Sequence, residues 1–466
     1  MSNFLRNALF GLLIFGSTFQ AVANTAMARD SSTLADTLKK GKVTGFARYF
    51  FSATDNADQL SDYHAHGLAL GVGYETPVFR GFKAGLSGSF TYNLESSDLT
   101  RLDPSTGQPN RYEIGLFDSD NLGSHRTLSR LEKMFIQYNH KGLRITFGKQ
   151  LLKTPFLNPQ DGRLRPTLVE GVTGEWIAGK NWTLQGAWIY GISPRGNTAW
   201  FGLGESMGKF PQGVNPDGTK SGYAGNLKND GLAFLSVERK LGKRISVQLF
   251  DQYVLGMFNT ALGQLNTAFP LNSKGSLKLI AAGQFIAQQA VEDGGNAIVS
   301  KTYMLKNNRA SVYSFRLGLA HGDSWSVLLN YTRISEQGRY LMPREWGRDP
   351  MFTFMPRERN EGYGDVRAMN LMLSKSFAKT GLKIDLGYGQ YLLPDVTNTA
   401  LNKYGMPSYQ QLNFDVRYAF RKYLKGLEAQ LLFVYKGKLG ETYGNNKFIL
   451  NKVNMCLFNG VLNYNF

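Results

Sequence analysis

The chain has 466 residues and is strongly basic, with 53 Lys and Arg against 35 Asp and Glu, a net charge of +18 and a mean hydropathy of −0.27. Such an excess suits nucleic acid or an anionic surface, but the charges are scattered, with no basic run and no recognition helix, which excludes a nucleic-acid role. The single cysteine, Cys456, excludes a disulfide framework and a cysteine-based zinc site.

At the N-terminus, Arg6 is the only charge before Arg29; an apolar run from Ala8 to Phe19 follows it, then Ala21-Val22-Ala23, a small-x-small cleavage site. This pattern predicts a secretory signal peptide over 1–23. A short periplasmic segment over 24–41 and a single barrel domain over 42–466 follow. Removing the leader and its one Arg leaves +17. No other stretch offers the ~18 consecutive apolar residues of a spanning helix.

From Val43 onward the chain alternates amphipathic segments of about ten residues with short turns and long polar loops. Clear segments are Val43 to Phe51, Gly67 to Tyr74, Phe82 to Tyr92, Leu143 to Gln150 and Trp182 to Tyr190. Further ones are Ile245 to Tyr253, Leu277 to Ile286, Val312 to Ala320, Trp325 to Thr332, Leu382 to Tyr391, Leu412 to Phe420 and Leu427 to Tyr435. Weaker ones lie near Glu170, Leu232, Met257 and Met369. Tight connections such as Ala178-Gly179-Lys180-Asn181 and Leu241-Gly242-Lys243 carry turn chemistry, while Asn93 to Thr127, Ser193 to Asn229 and Ser335 to Gly364 are long polar loops. The pattern predicts an all-β fold: a transmembrane antiparallel barrel of about eighteen strands. Half of each such strand faces water, which accounts for the low mean hydropathy.

Alternation sorts the side chains. Leu412, Phe414, Val416, Tyr418 and Phe420 form a lipid face, which turns Gln411, Asn413, Asp415 and Arg417 to the lumen. Lys383, Asp385, Arg316, Arg144, Arg48, Glu428 and Lys436 face inward by the same rule. A charge facing lipid at mid-depth costs about 2–4 kcal/mol, so the inward assignment follows from the strands themselves. Arg48, Arg144, Arg316, Lys383, Asp415 and Arg417 are the candidate pore-lining residues. Pairing with Asp385, Asp415 or Glu428 is the competing role for any one of these cations.

The segment Leu152 to Thr167 contains three prolines, a Gly and an Asp, which exclude regular structure. Arg163 and Arg165 sit two apart and would project the same way if extended. With Asp161 they are the candidate constriction. At the far end, Phe466, Tyr464, Leu462, Gly460, Phe458 and Cys456 alternate with Asn465, Asn463 and Asn459. This ending resembles the C-terminal signal by which the barrel-assembly machinery recognises outer-membrane barrels, with Phe466, Tyr464 and Leu462 as its core.

The run Pro155, Asp161, Arg163-Leu164, Pro166 and Gly171 resembles the constriction-loop motif of the OprD family of outer-membrane porins. His66 to Phe90 is similar to that family's second and third strands, and Arg344-Glu345-Trp346-Gly347-Arg348-Asp349 to a run in one of its long external loops. The resemblance implies an eighteen-stranded monomeric barrel in the outer membrane of a Gram-negative bacterium, with its third loop folded inward. It also implies passive diffusion of small carboxylate-bearing solutes along a ladder of Arg and Lys, without a cofactor. The solute's identity does not carry over.

Two other functions are open to a barrel of this kind. An enzyme barrel needs a nucleophile and base at the rim. Of the five histidines, His140 and His321 fall in tight turns, and no Gly-x-Ser-x-Gly elbow occurs. His64-x-His66 reads as a solvated loop pair ahead of a metal site. An adhesin or purely structural barrel with little solute flux is the alternative that the long loops leave open.

Overall fold

The structure is a computed structural model that describes residues 38–123, 128–160 and 162–466. The predicted leader, the segment 24–37, His125 and Asp161 lie outside the described residues. The chain divides into Met1–Lys40 and the barrel unit Gly41–Phe466.

The barrel unit is one antiparallel sheet closed on itself. Its wall begins with β1 (Lys42–Asp55), β2 (Tyr63–Glu75), β3 (Phe82–Ser96), β4 (Leu128–His140), β5 (Leu143–Gln150), β6 (Leu168–Ala178) and β7 (Trp182–Ser193). A two-residue strand β8 (Phe201–Gly202) caps the end of β7, and the wall resumes with β9 (Leu232–Leu241), β10 (Ile245–Val254), β11 (Phe258–Pro270) and β12 (Leu277–Ala290). It finishes with β13 (Arg309–His321), β14 (Trp325–Ile334), β15 (Val366–Phe377), β16 (Leu382–Leu392), β17 (Tyr409–Ala419), β18 (Leu427–Lys438) and β19 (Met455–Asn465). Eighteen strands thus form the wall, and β8 is extra to it. β19 pairs back onto β1 with Phe46 opposite Asn465, and Gly45 and Phe466 exchange both backbone hydrogen bonds at 2.9 and 3.0 Å. A side chain at Gly45 would strike the Phe466 ring.

The predicted alternation holds along the wall. On β17, Phe414 and Tyr418 are exposed outward while Gln411, Asn413 and Asp415 are buried inward. Leu86, Phe90, Ile136, Phe147, Leu249, Phe315 and Leu329 continue the exposed apolar exterior around the barrel, as a wall facing hydrocarbon requires. Phe458, Leu462, Tyr464 and Phe466 all belong to it. The sequence reading needs two corrections. His64 and His66 stand on β2 rather than in a loop, because pairing with β1 starts at Tyr63 opposite Thr54. The segments read as external loops also do not all stand outside the wall. The lumen holds the buried core, including Phe156, Leu157, Met257, Tyr340, Trp346 and Tyr363, much of which belongs to the long connections.

Candidate functional site: a basic constriction between inward loops

Each loop that enters the lumen is held by polar groups of the wall, since its backbone carbonyls would otherwise be buried without donors. The third loop, residues 151–167, starts with a tight turn in which Thr154 bonds Leu157 through both backbone and hydroxyl. This seats Phe156 against Phe250 of β10, with ring centroids 5.6 Å apart. Leu164, at the loop's other end, packs with Phe50, Ala65, Ala69 and Phe117 beside β1 and β2. The loop therefore crosses the lumen as a strut, and Arg48 secures it by donating to the Arg163 carbonyl at 2.8 Å.

Residues 335–365 cross from the other side. Gln284 of β12 donates to the Pro350 carbonyl at 3.0 Å, and Gln411 and Asn413 of β17 donate to that of Pro356 at 2.9 and 3.0 Å. Lys436 of β18 donates to the Arg357 carbonyl at 2.6 Å, and the Arg357 guanidinium reaches Asn459 of β19. Trp346 is fully buried, with its indole N–H on Ser206 at 3.0 Å. The run from Arg344 to Asp349, which the resemblance placed outside, is thus folded into the barrel. Glu345 accepts the Gly208 and Phe210 amides at 2.9 Å each, so the 194–231 connection joins the same assembly. Residues 97–123 contribute as well: the turn Glu113–Leu116 sits on the inner wall, and Glu113 accepts from Ser52 and Thr54 at 2.9 and 2.8 Å.

Between these loops lies a water-accessible cavity of about 110 Å³. Its cationic side chains come from every contributor: Arg111 and Arg163 from the second and third loops, Arg195 from the next, Arg344, Arg357 and Arg359 from residues 335–365, and Lys436 from β18. Glu358 is the acid in its lining. Arg344 is paired to the buried Glu361. Among the described residues no carboxylate lies within 4.0 Å of the other six. Burial pushes Arg357 down to about 10, which leaves it charged at neutral pH. Burial, with Asp349 nearby, pushes the Glu358 carboxyl well above its ordinary range and weakens the one counter-charge.

The residues predicted from sequence separate into groups. Arg163 lines the cavity and Arg48 braces the loop behind it. Arg165 does not line the cavity. It is fully buried, with Nη2 on the Phe117 carbonyl at 2.6 Å and its other guanidinium nitrogens unpartnered among the described residues. The chain bends through 162–165, so the two side chains diverge where an extended chain would have aligned them. Arg316 stacks on Phe352 at 4.5 Å and bonds Asn330 at 2.7 Å. Nearer the short-turn end, Lys383 pairs with Asp385 at 3.0 Å and Arg417 with Asp415 at 2.8 Å. Register sets Lys383 opposite Arg417 and Asp385 opposite Asp415, which makes a charge-balanced square on the inner wall. Arg144 pairs with Glu175 at 2.6 Å beside the β4–β5 turn. Sequence reading missed Arg111, Arg195, Arg357 and Arg359. The apolar residues Tyr112, Ile114, Leu116 and Phe117 inside a nominally polar loop are the visible sign that such loops turn inward.

An eighteen-stranded closed barrel with an apolar exterior and loops packed in its lumen is a transmembrane β-barrel fold. No protein-family model and no curated protein matches the sequence. The fold matches solved structures of Occ and OpdK proteins of the OprD family. Acinetobacter baumannii OccAB2 matches at TM-score 0.69 and 13% identity, over 92% of this chain and 98% of that one. Pseudomonas aeruginosa OccK9 (OpdG) matches at 0.71 and 15%, over 92% and 99%. Pseudomonas aeruginosa OpdK, solved with vanillate, matches at 0.67 and 14%, over 92% and 99%.

Proposed function

We propose that the barrel is an outer-membrane porin through which small anionic, carboxylate-bearing solutes diffuse passively. The observation that carries this reading is the cavity where the loops meet: seven cationic side chains face one acid with a raised pKa. A carboxylate entering so narrow a passage loses part of its hydration. The planar fork of Arg supplies several charge-assisted hydrogen bonds in exchange. Several moderate sites in series favour flux, because a single deep site would retain the solute. The balanced wall pairs at Lys383 and Arg417 supply such weaker sites beyond the constriction, and Arg316 another. OpdK, whose structure holds the carboxylate vanillate, has the same fold, which supports this solute class.

The test is the reversal potential of single channels in a planar bilayer under a salt gradient, together with liposome swelling in carboxylate and neutral solutes. Anion selectivity with faster carboxylate entry is expected. Cation selectivity, or a barrel with no solute flux, would overturn the reading; the latter would favour a structural barrel.

A further inference from the structure

The outer face of the wall carries a basic patch that the channel does not use. Side chains on β13–β15 alternate, so Tyr313, Arg333 and Arg367 point away from the lumen, while their neighbours Val312, Thr332 and Ala368 are buried inward. Register sets Arg333 directly opposite Arg367, with Tyr313 opposite Arg333 on the other side. Like charges directly opposite across a ladder repel. Asp365 answers only one of them, pairing with Arg333 at 2.5 Å. Arg367 is exposed, and its side chain has no hydrogen-bond or ion-pair partner among the described residues; the same holds for the exposed Arg309 at the start of β13. Glu336, in the adjoining loop, forms no ion pair among them either. The outward cation Lys149, at the same end of β5, is by contrast satisfied by Glu170 and the Trp200 ring.

The height of the pair follows from the strand. Trp325, stacked with His321, marks the short-turn end of β14. From there to Arg333 is about 26 Å along the chain, or about 20 Å along the membrane normal at the usual tilt. Val327, Leu329 and Tyr331 are exposed between the two. Arg333 and Arg367 therefore stand at the far edge of the apolar band, where charge is tolerated, with exposed Met369 and Leu392 beside them.

We propose that Arg333 and Arg367, with Tyr313 beside them, bind a phosphate of an outer-leaflet lipid headgroup, of the lipid A type. Arg takes phosphate in a bidentate fork, and the flanking apolar side chains suit the acyl chains of the same molecule. A second copy of the chain would need a facing acidic patch, and this sector offers only Asp365 and Glu336. The proposal rests on the outer-membrane placement above but not on anion flux.

The experiment is native mass spectrometry of the detergent-solubilised full chain, titrated with bis-phosphorylated lipid A, dephosphorylated lipid A and inorganic phosphate. The wild type should bind the bis-phosphorylated lipid, and R333Q/R367Q about tenfold more weakly. Dephosphorylated lipid A should bind both proteins weakly, and inorganic phosphate should not displace the lipid at equal concentration. Heat-modifiable gel mobility and single-channel conductance should be unchanged in the variant, which keeps failure here distinct from failure of the channel reading. If the double variant does not assemble, R367Q alone, which leaves the Arg333–Asp365 pair intact, carries the test. Equal lipid binding by wild type and variant overturns the proposal. So does displacement by phosphate alone, which would mean a free-anion site, or loss of self-association in place of lipid binding, which would mean a protein interface.

Discussion

Asn158 and Arg348 hold the two lumen-crossing loops together: the Asn158 amide donates to the Arg348 carbonyl at 3.0 Å and accepts the Arg348 backbone N–H at 3.1 Å. Gly347 permits this approach, since a side chain there would collide with Asn158. The third loop and residues 335–365 are therefore joined into one hydrogen-bonded unit within the lumen.

Asn158→Ala removes both bonds, each worth about 0.5–1.5 kcal/mol, a small loss for a barrel held by eighteen ladders. Single-channel conductance and open-channel noise should rise, as they should when either Asn158 to Gly162 or Arg344 to Asp349 is deleted. Conductance unchanged after the first deletion and raised after the second would remove the third loop from the constriction.

Charge at the cavity should control selectivity. Arg163→Gln or Arg357→Gln should each move the reversal potential toward cations and slow carboxylate entry. Arg165→Gln, buried away from the cavity, should leave the reversal potential nearly unchanged. A shift with Arg165→Gln as large as that with Arg163→Gln would place Arg165 in the solute's path.

Acidity should sharpen the anion preference. Burial, partly offset by Arg359, raises the Asp349 carboxyl to about 6. Because the folded value lies above the ordinary one of 3.8, the stability this group contributes is complete below about pH 3.8 and is lost as pH rises through about 6. Falling pH therefore neutralises a negative charge behind the constriction while tightening the loop. Anion selectivity should increase between pH 7 and 5, and Asp349→Asn should flatten that profile; an equally steep profile in the variant would assign the titration to another group.

Phe466→Ala should lower the yield of heat-modifiable barrel in outer-membrane fractions while leaving export intact. Its ring lies 5.8 Å from that of Tyr464 and covers Gly45, so the residue serves the seam as well as any recognition step. Full assembly of the variant would deny it both roles.

The wall was legible in the sequence because alternation is a local property. Leu143 to Gln150 was bounded correctly, and most other strands were only extended by a few residues at their loop ends. The strand Leu128–His140 is not legible by alternation, because a charged run and a bulge opposite Ser87/Gly88 blur its period. The lumen was much less legible. Whether a loop turns inward depends on donors from distant strands, such as Lys436 for the Arg357 carbonyl, and no window of sequence contains both. Arg165 shows the same limit, because its direction is set by a bend that a two-residue spacing cannot reveal.

Apart from β8, every pairing but one joins strands that follow one another in the wall, and such hairpins can form as soon as both arms are present. The exception is β1 with β19, whose partners lie more than four hundred residues apart. Until that last ladder forms, two strand edges stay open, and Arg357 lacks Asn459 and the loop-bracing Arg48 lacks Asn463, since both asparagines belong to β19. The unclosed sheet is thus the vulnerable species in biogenesis, prone to pair with the wrong neighbour. The strand that completes the cylinder also completes the polar contacts of Arg357 and Arg48 in the lumen.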